Sequence, residues 1–204
     1  MTGHAPLVDE RTRIVEACIE VVGEVGYKRA RLEAIVDRAG IDRVIFARHF
    51  ADLDACFLAA WEAIDEEYMG VALAAFASEE AWADRIRAVG YAILDFWQEN
   101  PARGRVHGGG RDVGSEALQK RFDATADAFV ELVDMGRQEL DDPESLSRAT
   151  AEGLAGAVFE QVVGRLLRGA EDDLTELLPQ IMFMVLRPYL GLQVAMAELQ
   201  RPPR

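Results

Sequence analysis

The chain has 204 residues, half of them apolar, with 17 glycines, 7 prolines and a formal net charge of −14 at pH 7. This composition indicates a globular chain and excludes a disordered one, and so negative a charge argues against a protein that coats nucleic acid without regard to sequence. We see no run of about 18 apolar residues and no apolar stretch at the N-terminus, so we expect no membrane span, no signal peptide and a cytoplasmic location.

Residues 1–8 are expected to form a loose arm, and the first helix is predicted to begin near Asp9. Gly26 is expected to end this helix, because glycine tolerates the positive φ found at many helix ends. Tyr27 should then pack over the helix end with its hydroxyl at the surface. The apolar residues of the helix recur at the spacing of one helix face: Ile14, Ala17, Cys18, Val21, Val22 and Val25.

Two short helices joined by a tight turn are predicted between Leu32 and Phe50. Gly40 would end the first of them, and Asp42 would cap the second by accepting a hydrogen bond from a free backbone N–H. Neither helix can bury much surface alone, so they need the preceding helix as a third element. The second short helix keeps a free face. This layout predicts a helix-turn-helix, whose second helix enters the major groove of DNA.

The charge of the chain is locally reversed at this motif. Residues 28–49 carry six basic and three acidic side chains, although the chain as a whole is strongly acidic. A solvated helix surface would also explain such a cluster, but its coincidence with the helix-turn-helix favours contact with DNA.

Beyond Asp52, which is a plausible helix N-cap, the apolar pattern predicts further helices and no strand. The first of these helices runs to about Ala77. The next begins at Ser78 and Glu79 and ends before Asn100. Residues 101–114 contain five glycines and are expected to form a short helix at most, followed by a loop. Another helix is expected from Ser115 to near Leu140. The fold class is therefore all-α, with a head domain at 1–52 and a helical ligand-binding and dimerisation body at 53–204.

Two apolar helices are predicted at the C-terminal end, over residues 144–169 and 173–199. Pro143 should start the first, and Asp173 with Glu176 resembles a capping box for the second. Pro179 and Pro188 should bend the second helix. Both are apolar beyond one stripe, which predicts a homodimer interface of four helices, two from each chain.

The three-helix head, the long connecting helix and the helical body together resemble the TetR family of bacterial transcriptional repressors. The resemblance is firmest over residues 11–57, where Gly26-Tyr27, Ala39-Gly40-Ile41 and His49-Phe50 stand where that family has them. It implies a dimer that binds a pseudo-palindromic operator in double-stranded DNA, with half-sites about 34–36 Å apart or a multiple of that. It also implies a small-molecule ligand in the body that shifts the spacing of the heads and releases DNA.

The sequence departs from this family pattern at three polar positions. The family usually has threonine or serine at Ala30, capping the second helix and touching a phosphate, and tyrosine and lysine at Ala47 and Leu53, which also contact phosphate. In addition, Val36 replaces a usual alanine. Phosphate contacts supply much of the affinity for DNA. The alternative is therefore a dimeric ligand-binding or interaction protein of the same fold that has lost specific DNA binding, unless nearby arginines compensate.

The resemblance and the local charge together select the DNA-contact residues. Arg43 is expected to pair with guanine or hold a phosphate, while Val44 and Ile45 could meet thymine methyls. Ile45 could equally pack inside the head, and His49 is expected to satisfy a helix end or a phosphate. The complete set of DNA-contact candidates is Lys28, Arg29, Arg31, Arg43, Val44, Ile45, Arg48 and His49.

The ligand candidates are the aromatic residues and the one histidine of the central body helices. Ordinary core packing is the more common role for each of them, and His107 could instead be a solvated residue of the glycine-rich loop. The set favours an apolar or aromatic ligand, although the acidic body could favour a cationic one. The candidates are Tyr91, Phe96, Trp97, His107, Phe122, Phe129 and Phe159.

An enzyme is the competing class, and the sequence gives it little support. The three histidines are scattered, and we find no nucleophile set, phosphate-binding loop or metal-ligand pattern. Cys18 and Cys56 lie on apolar helix faces and are predicted to be small core residues, with a redox pair as the less favoured alternative. We therefore expect no catalytic residue, no metal and no cofactor.

Overall fold

The computed structural model describes residues 9–113, 115–170 and 172–202, without the side chains of Arg111 and Asp112. The predicted N-terminal arm at residues 1–8 lies outside this range. Within it, all regular secondary structure is helical, which confirms the all-α prediction.

Three short helices form the head, as predicted. They are α1 (Glu10–Val25), α2 (Leu32–Ala39) and α3 (Arg43–His49), with a 3₁₀ turn at Tyr27–Arg29. The chain turns after α1 and α2 at Gly26 and Gly40, where φ is 77° and 63°. A side chain at either position would strain the backbone, so glycine fixes both turns.

Aspartates begin α3 and the helix that follows it. The Asp42 carboxylate accepts a hydrogen bond from the Ile45 amide at the start of α3, and Asp52 accepts one from Ala55 at the start of α4, both at 2.8 Å. Helix α4 (Leu53–Ala77) then runs from the head into the body. Both predicted caps and the predicted end of α4 are confirmed.

The central body contains α5 (Trp82–Glu99), α6 (Pro101–Gly109) and α7 (Glu116–Asp134). The predicted start of α5 was wrong, because the Ser78 hydroxyl donates to the Ala75 carbonyl at 2.7 Å and so terminates α4 instead of capping a new helix. The predicted glycine loop was also wrong. Residues 101–113 all lie in α6 or in a 3₁₀ turn, Gly110–Val113, and three of the glycines allow close packing.

The last helices start later than predicted. Helix α7 ends at Asp134 and continues as a 3₁₀ turn, Met135–Glu139. A second 3₁₀ turn, Pro143–Ser145, is separated from α8 (Arg148–Leu167) by the extended residue Leu146. Ser147 caps α8 by accepting a hydrogen bond from the Ala149 amide at 3.2 Å. The expected helix start at residue 144 was therefore wrong.

Helix α9 (Leu178–Glu198) follows a 3₁₀ turn, Leu174–Leu177, and the Asp173 side chain makes no capping hydrogen bond. The predicted capping box was therefore wrong. Pro179 lies in the first turn of α9, where its missing N–H is not needed, so it causes no bend. The break in α9 lies at Gly191, which has φ 78° and ψ 173°, three residues after Pro188.

The segment Leu174–Glu198 is long and apolar enough to cross a membrane by length and composition alone. Gly191 divides it, however, and its buried side chains belong to the core of the body. We therefore describe it as a core helix.

The C-terminal end of α9 is held to α5 by a buried ion pair. The Arg87 guanidinium contacts the Glu198 carboxylate and also donates to the Pro202 carbonyl at 2.9 Å. At the other end of the molecule, Cys18 and Cys56 are free thiols with no exposed surface. A hydrogen bond from Cys56, together with burial, raises the pKa of the Cys18 thiol far above its usual range, so these residues behave as core side chains.

Candidate DNA-contact surface and ligand cavity

Helix α3 is anchored by one face and free on the other. Phe46 and Phe50 are buried in the head with their ring centroids 5.7 Å apart. Arg43, Val44 and Arg48 are exposed, and the Val44 side chain keeps 63% of its surface in water. A valine this exposed on a short helix does not serve the core. These three residues form the free surface of α3.

Arg43 is already engaged by an acidic neighbour on α2. Its guanidinium contacts the Glu33 carboxylate, and the two side chains are 65% and 61% exposed. The pKa of Glu33 lies below its usual value, first through a backbone hydrogen bond of its own residue and then through the charges of Arg43 and Arg31. Glu33 is therefore ionised near neutral pH, beside the residue most expected to contact DNA.

The other end of α3 is tied to α1. The His49 Nε2 atom lies 3.2 Å from the Glu10 carboxylate. Both His49 and Ile45 are half-buried. Each therefore has a structural role within the head in addition to any contact with DNA.

The remaining basic candidates do not all share the free surface of α3. Arg29 donates to the Val25 carbonyl at 2.7 Å. Together with Lys28 it lines a cleft of about 340 Å³ whose far wall includes Arg105 of α6. Arg31 is exposed and donates to the Ala30 carbonyl at 3.0 Å. The structure thus places Lys28 and Arg29 at the junction of head and body, apart from the free surface of α3.

A cavity of about 370 Å³ lies inside the body. Five of the seven predicted ligand residues line it: Trp97, His107, Phe122, Phe129 and Phe159. Tyr91 and Phe96 do not line it. They lie one position away from Gly90 and Trp97, which mark the face of α5 turned toward the cavity. The cavity wall also includes Tyr68 and Thr125, which the sequence did not single out, because their spacing on α4 and α7 is that of ordinary core residues.

One wall of the cavity carries a buried polar cluster. His107, only 3% exposed, lies in α6 and not in the predicted loop, with its Nε2 atom 3.0 Å from Asp65 Oδ1. The Thr125 hydroxyl donates to the same carboxylate at 2.9 Å. The Trp61 ring stacks on His107 with centroids 4.6 Å apart, and its Nε1 donates to the His107 carbonyl. Burial first, and then the charge of Asp65, raises the pKa of Tyr68.

The cavity opens between α7 and α8. Only four of its lining residues are exposed, and they form the mouth: Ala126 and Asp127 on α7, and Glu152 and Gly156 on α8.

Helix α6 touches both the cavity and the head. His107 lines the cavity, and a turn and a half earlier Ala102 packs so closely on α1 that a Cβ at Gly23 would lie 2.9 Å from the Ala102 Cβ. Between them, Arg103 donates to the Glu16 carboxylate and Arg105 donates to the Gly23 carbonyl, both at 2.9 Å. A displacement of α6 at the cavity would therefore act directly on α1.

Residues 14–60 match the model of a protein family described as bacterial regulatory proteins, tetR family. The matched residues contain most of α1, all of α2 and α3, and the start of α4. Residues 14–60 form a TetR-family head. No curated protein sequence matches the chain.

Solved structures similar to most of the chain include TetR-family regulators. The fatty acid degradation regulator FadR of Bacillus halodurans is 13% identical, with a TM-score of 0.77 over 91% of this chain and 97% of that one. FadR of Bacillus subtilis in complex with stearoyl-CoA is 14% identical, with a TM-score of 0.73 over 85% and 96%. A TetR-family regulator of Marinobacter aquaeolei VT8 is 20% identical, with a TM-score of 0.69 over 86% and 93%. The chain therefore has the fold of TetR-family transcriptional regulators.

The structure shows where the three positions that depart from the TetR-family pattern lie. Ala30 is only 3% exposed, and Arg31 occupies the N-cap position of α2 with no side-chain capping bond. The interpretation of position 30 as the capping site was therefore wrong, because a hydroxyl there would be buried beneath the head. Ala47 is exposed and offers no polar group, and Leu53 is half-buried against the core.

Proposed function

We propose that this chain is a cytoplasmic, DNA-binding transcriptional repressor that a small-molecule ligand in the body cavity releases from its operator. The observation that carries the proposal is the position of α6, whose residues line the cavity and also contact α1 of the TetR-family head. Residues 1–52 serve as the DNA-binding domain and residues 53–204 as the ligand-binding and dimerisation domain.

The free surface of α3 is the DNA-reading surface in this proposal. Arg43 pairs with guanine O6 and N7 or with a phosphate, Val44 meets a thymine methyl, and Arg48 contacts the backbone. Arg31, on the flank of α2, adds a further cation. Lys28 and Arg29 line the cleft shared with α6, so their contribution to DNA contact is secondary.

The cavity is the ligand site. Its volume, about 370 Å³, is within the range of about 300–1,000 Å³ that is typical of small-molecule sites, and its wall is mostly apolar with a few polar groups. Likeness to a FadR protein solved with stearoyl-CoA supports a ligand with an apolar body. Trp97, His107, Phe122, Phe129 and Phe159 contact this ligand.

Release of DNA requires that the ligand bind one arrangement of the heads better than the other. A ligand that pushes on His107 moves α6, and the contacts of Ala102, Arg103 and Arg105 carry that movement to α1. The spacing of the two heads in a dimer then no longer matches the half-sites of the operator.

A homodimer formed through the last two helices completes the proposal. Beyond Gly191, the final turns of α9 expose a set of large apolar side chains, and α8 adds Leu167. Burial of such a surface against a second copy would stabilise a dimer. The exposed residues are Leu192, Val194 and Met196 of α9, and Leu199 directly after it.

Selection of binding sites from a random pool of double-stranded DNA tests the repressor proposal. We expect a pseudo-palindromic consensus, bound at low salt with an affinity that falls steeply as salt rises. Arg43→Ala should weaken binding about tenfold or more, since a bidentate contact to guanine discriminates by about 1–3 kcal/mol. Lys120→Ala removes the same charge from the body and should leave binding unchanged.

The second candidate is a TetR-fold interaction protein that has lost specific DNA binding. It is favoured by the apolar side chains at Ala47 and Leu53 and by the engagement of Arg43 with Glu33. An enriched pool with no consensus, and equal binding by the wild-type chain and Arg43→Ala, would support this candidate and contradict the repressor.

A further inference from the structure

The described residues that line the cavity include two carboxylates and no lysine or arginine. Proteins bind carboxylates and phosphates with arginine, lysine or backbone N–H groups, which form charge-assisted hydrogen bonds. The charge of the lining is therefore the reverse of what an anionic ligand needs.

A further carboxylate lies behind the wall of the cavity. Both Asp65 oxygens accept hydrogen bonds from Thr125, and one of them also lies 3.0 Å from His107. Thr125 and His107 line the cavity, so the Asp65 carboxylate stands directly behind its wall. An anion brought into this cavity would lose its hydration and would meet no guanidinium or ammonium group among the described lining residues.

The mouth is also negative. Asp127 forms no ion pair within the described part of the chain. Glu152 lies 3.5 Å from Arg148, but that guanidinium is shared with Glu131, to which it donates at 2.6 Å. The mouth therefore keeps a net negative charge. This charge attracts a cation and repels an anion within about one Debye length, which is about 8 Å at physiological ionic strength.

Aromatic side chains complete an environment suited to a cation. The Tyr68 ring lies with its centroid 4.7 Å from that of Trp97 and 5.2 Å from that of Phe129, and all three residues line the cavity. The faces of such rings attract organic cations by about 0.5–2 kcal/mol each.

We propose that the ligand of this cavity is an apolar organic cation, and not a fatty acid or its thioester. This inference rests on the proposed ligand site, and it separates the chain from the neighbour that was solved with stearoyl-CoA. The apolar part of the ligand fills the cavity, and its cationic group faces the aromatic rings and the acidic mouth.

Three probes that share one ten-carbon chain test the proposal: decyltrimethylammonium, decanol and decanoate, each kept below its micelle concentration. Binding is measured on the full chain without DNA, through the change in tryptophan fluorescence, to which Trp97 in the cavity wall contributes. We expect decyltrimethylammonium to bind about tenfold tighter than decanoate, because the same carboxylates attract one and repel the other. Decanoate binding as tightly as the cation, or binding by none of the probes, would overturn the proposal.

A pair of charge-matched variants identifies the groups responsible. Asp127→Asn/Glu152→Gln should weaken binding of the cation several-fold and leave decanol unchanged. Glu66→Gln/Glu80→Gln removes the same two charges from exposed positions outside the cavity and should change neither. Equal weakening by both double variants would mean that only the net charge of the protein matters, and would contradict a role for the mouth.

These binding measurements contain no DNA. A negative result therefore contradicts the proposed ligand class without contradicting the repressor proposal. If the chain prefers decanoate and an operator consensus is recovered, the repressor proposal is supported and the proposed ligand class is wrong. If the chain prefers the cation and no operator consensus is recovered, the proposed ligand class is supported and the repressor proposal is contradicted.

Discussion

The Glu33–Arg43 contact on the free side of the head makes a prediction that only the structure could supply. In the proposed complex with DNA, Arg43 would have to leave Glu33 to reach a base or a phosphate, and Glu33, whose pKa lies below its usual value, would stay ionised at neutral pH beside it. We expect Glu33→Gln to strengthen binding to the selected operator. Because both side chains are more than half exposed, solvent screens the pair, and the gain should be only about two- to fivefold per head.

The assay is fluorescence anisotropy of labelled operator DNA at several salt concentrations. If the freed Arg43 gains a phosphate contact, the slope of log K against log salt should steepen by about one per head. Glu20→Gln serves as the control, because it removes one acidic charge from α1, where Glu20 pairs with Arg38 at 2.8 Å and makes no contact with Arg43 that the structure shows. In the Arg43→Ala background the gain from Glu33→Gln should shrink to the effect of net charge alone. Unchanged or weaker binding by Glu33→Gln would refute the reasoning.

Three further predictions concern the body and the head core. Gly136→Ala should destabilise the fold by about 1–3 kcal/mol, measured by urea unfolding, because its Cβ would overlap the buried Trp82 ring, whereas Gly70→Ala, with open space around it, should not. Arg87→Met should cost about 1–3 kcal/mol of unfolding free energy, because it removes one of the two guanidinium groups that contact the Glu198 carboxylate and leaves only Arg201, at 3.2 Å, and no loss of unfolding free energy would contradict this. Burial first, and a hydrogen bond to a carboxylate second, raise the pKa of Tyr27 to about 12. Its contribution to stability is therefore complete below pH 10 and lost as the pH rises toward 12, which absorbance of the phenolate should follow and which Tyr27→Phe should remove.

The head could be predicted almost completely from the sequence, because each of its boundaries depends on a local interaction. Gly26 and Gly40 have the positive φ expected of them, and Asp42 and Asp52 cap the helices that follow. Interactions of this kind act over three or four residues and leave a direct trace in the sequence.

The body was harder to predict, because its boundaries depend on contacts between distant residues. Asp173 and Glu176 have the spacing of a capping box, but the turn there is 3₁₀ and no capping bond forms. Similarly, Trp97 and Phe96 are adjacent aromatic residues of one helix, and only the packing of α5 decides that the first lines the cavity and the second does not. The Asp65–His107 contact spans 42 positions and has no signal in the sequence spacing.

Helix α6 shows why the glycine-rich segment was misjudged and why it suits a coupling role. Glycine lowers intrinsic helix stability by about 1 kcal/mol relative to alanine, so a nine-residue helix with Gly104, Gly108 and Gly109 owes its existence to packing. A Cβ at Gly104 would lie 2.8 Å from Leu166, and one at Gly108 would lie 2.7 Å from Val163, so the same glycines let α6 lie close against α8.

A helix held in place mainly by its neighbours responds when one of those neighbours changes. One side of α6 borders the cavity and the other holds α1 through Arg103 and Arg105. In the proposed function, a ligand that altered the packing on the cavity side would change the free energy of the contacts with the head, which is the physical requirement for linking ligand binding to DNA release.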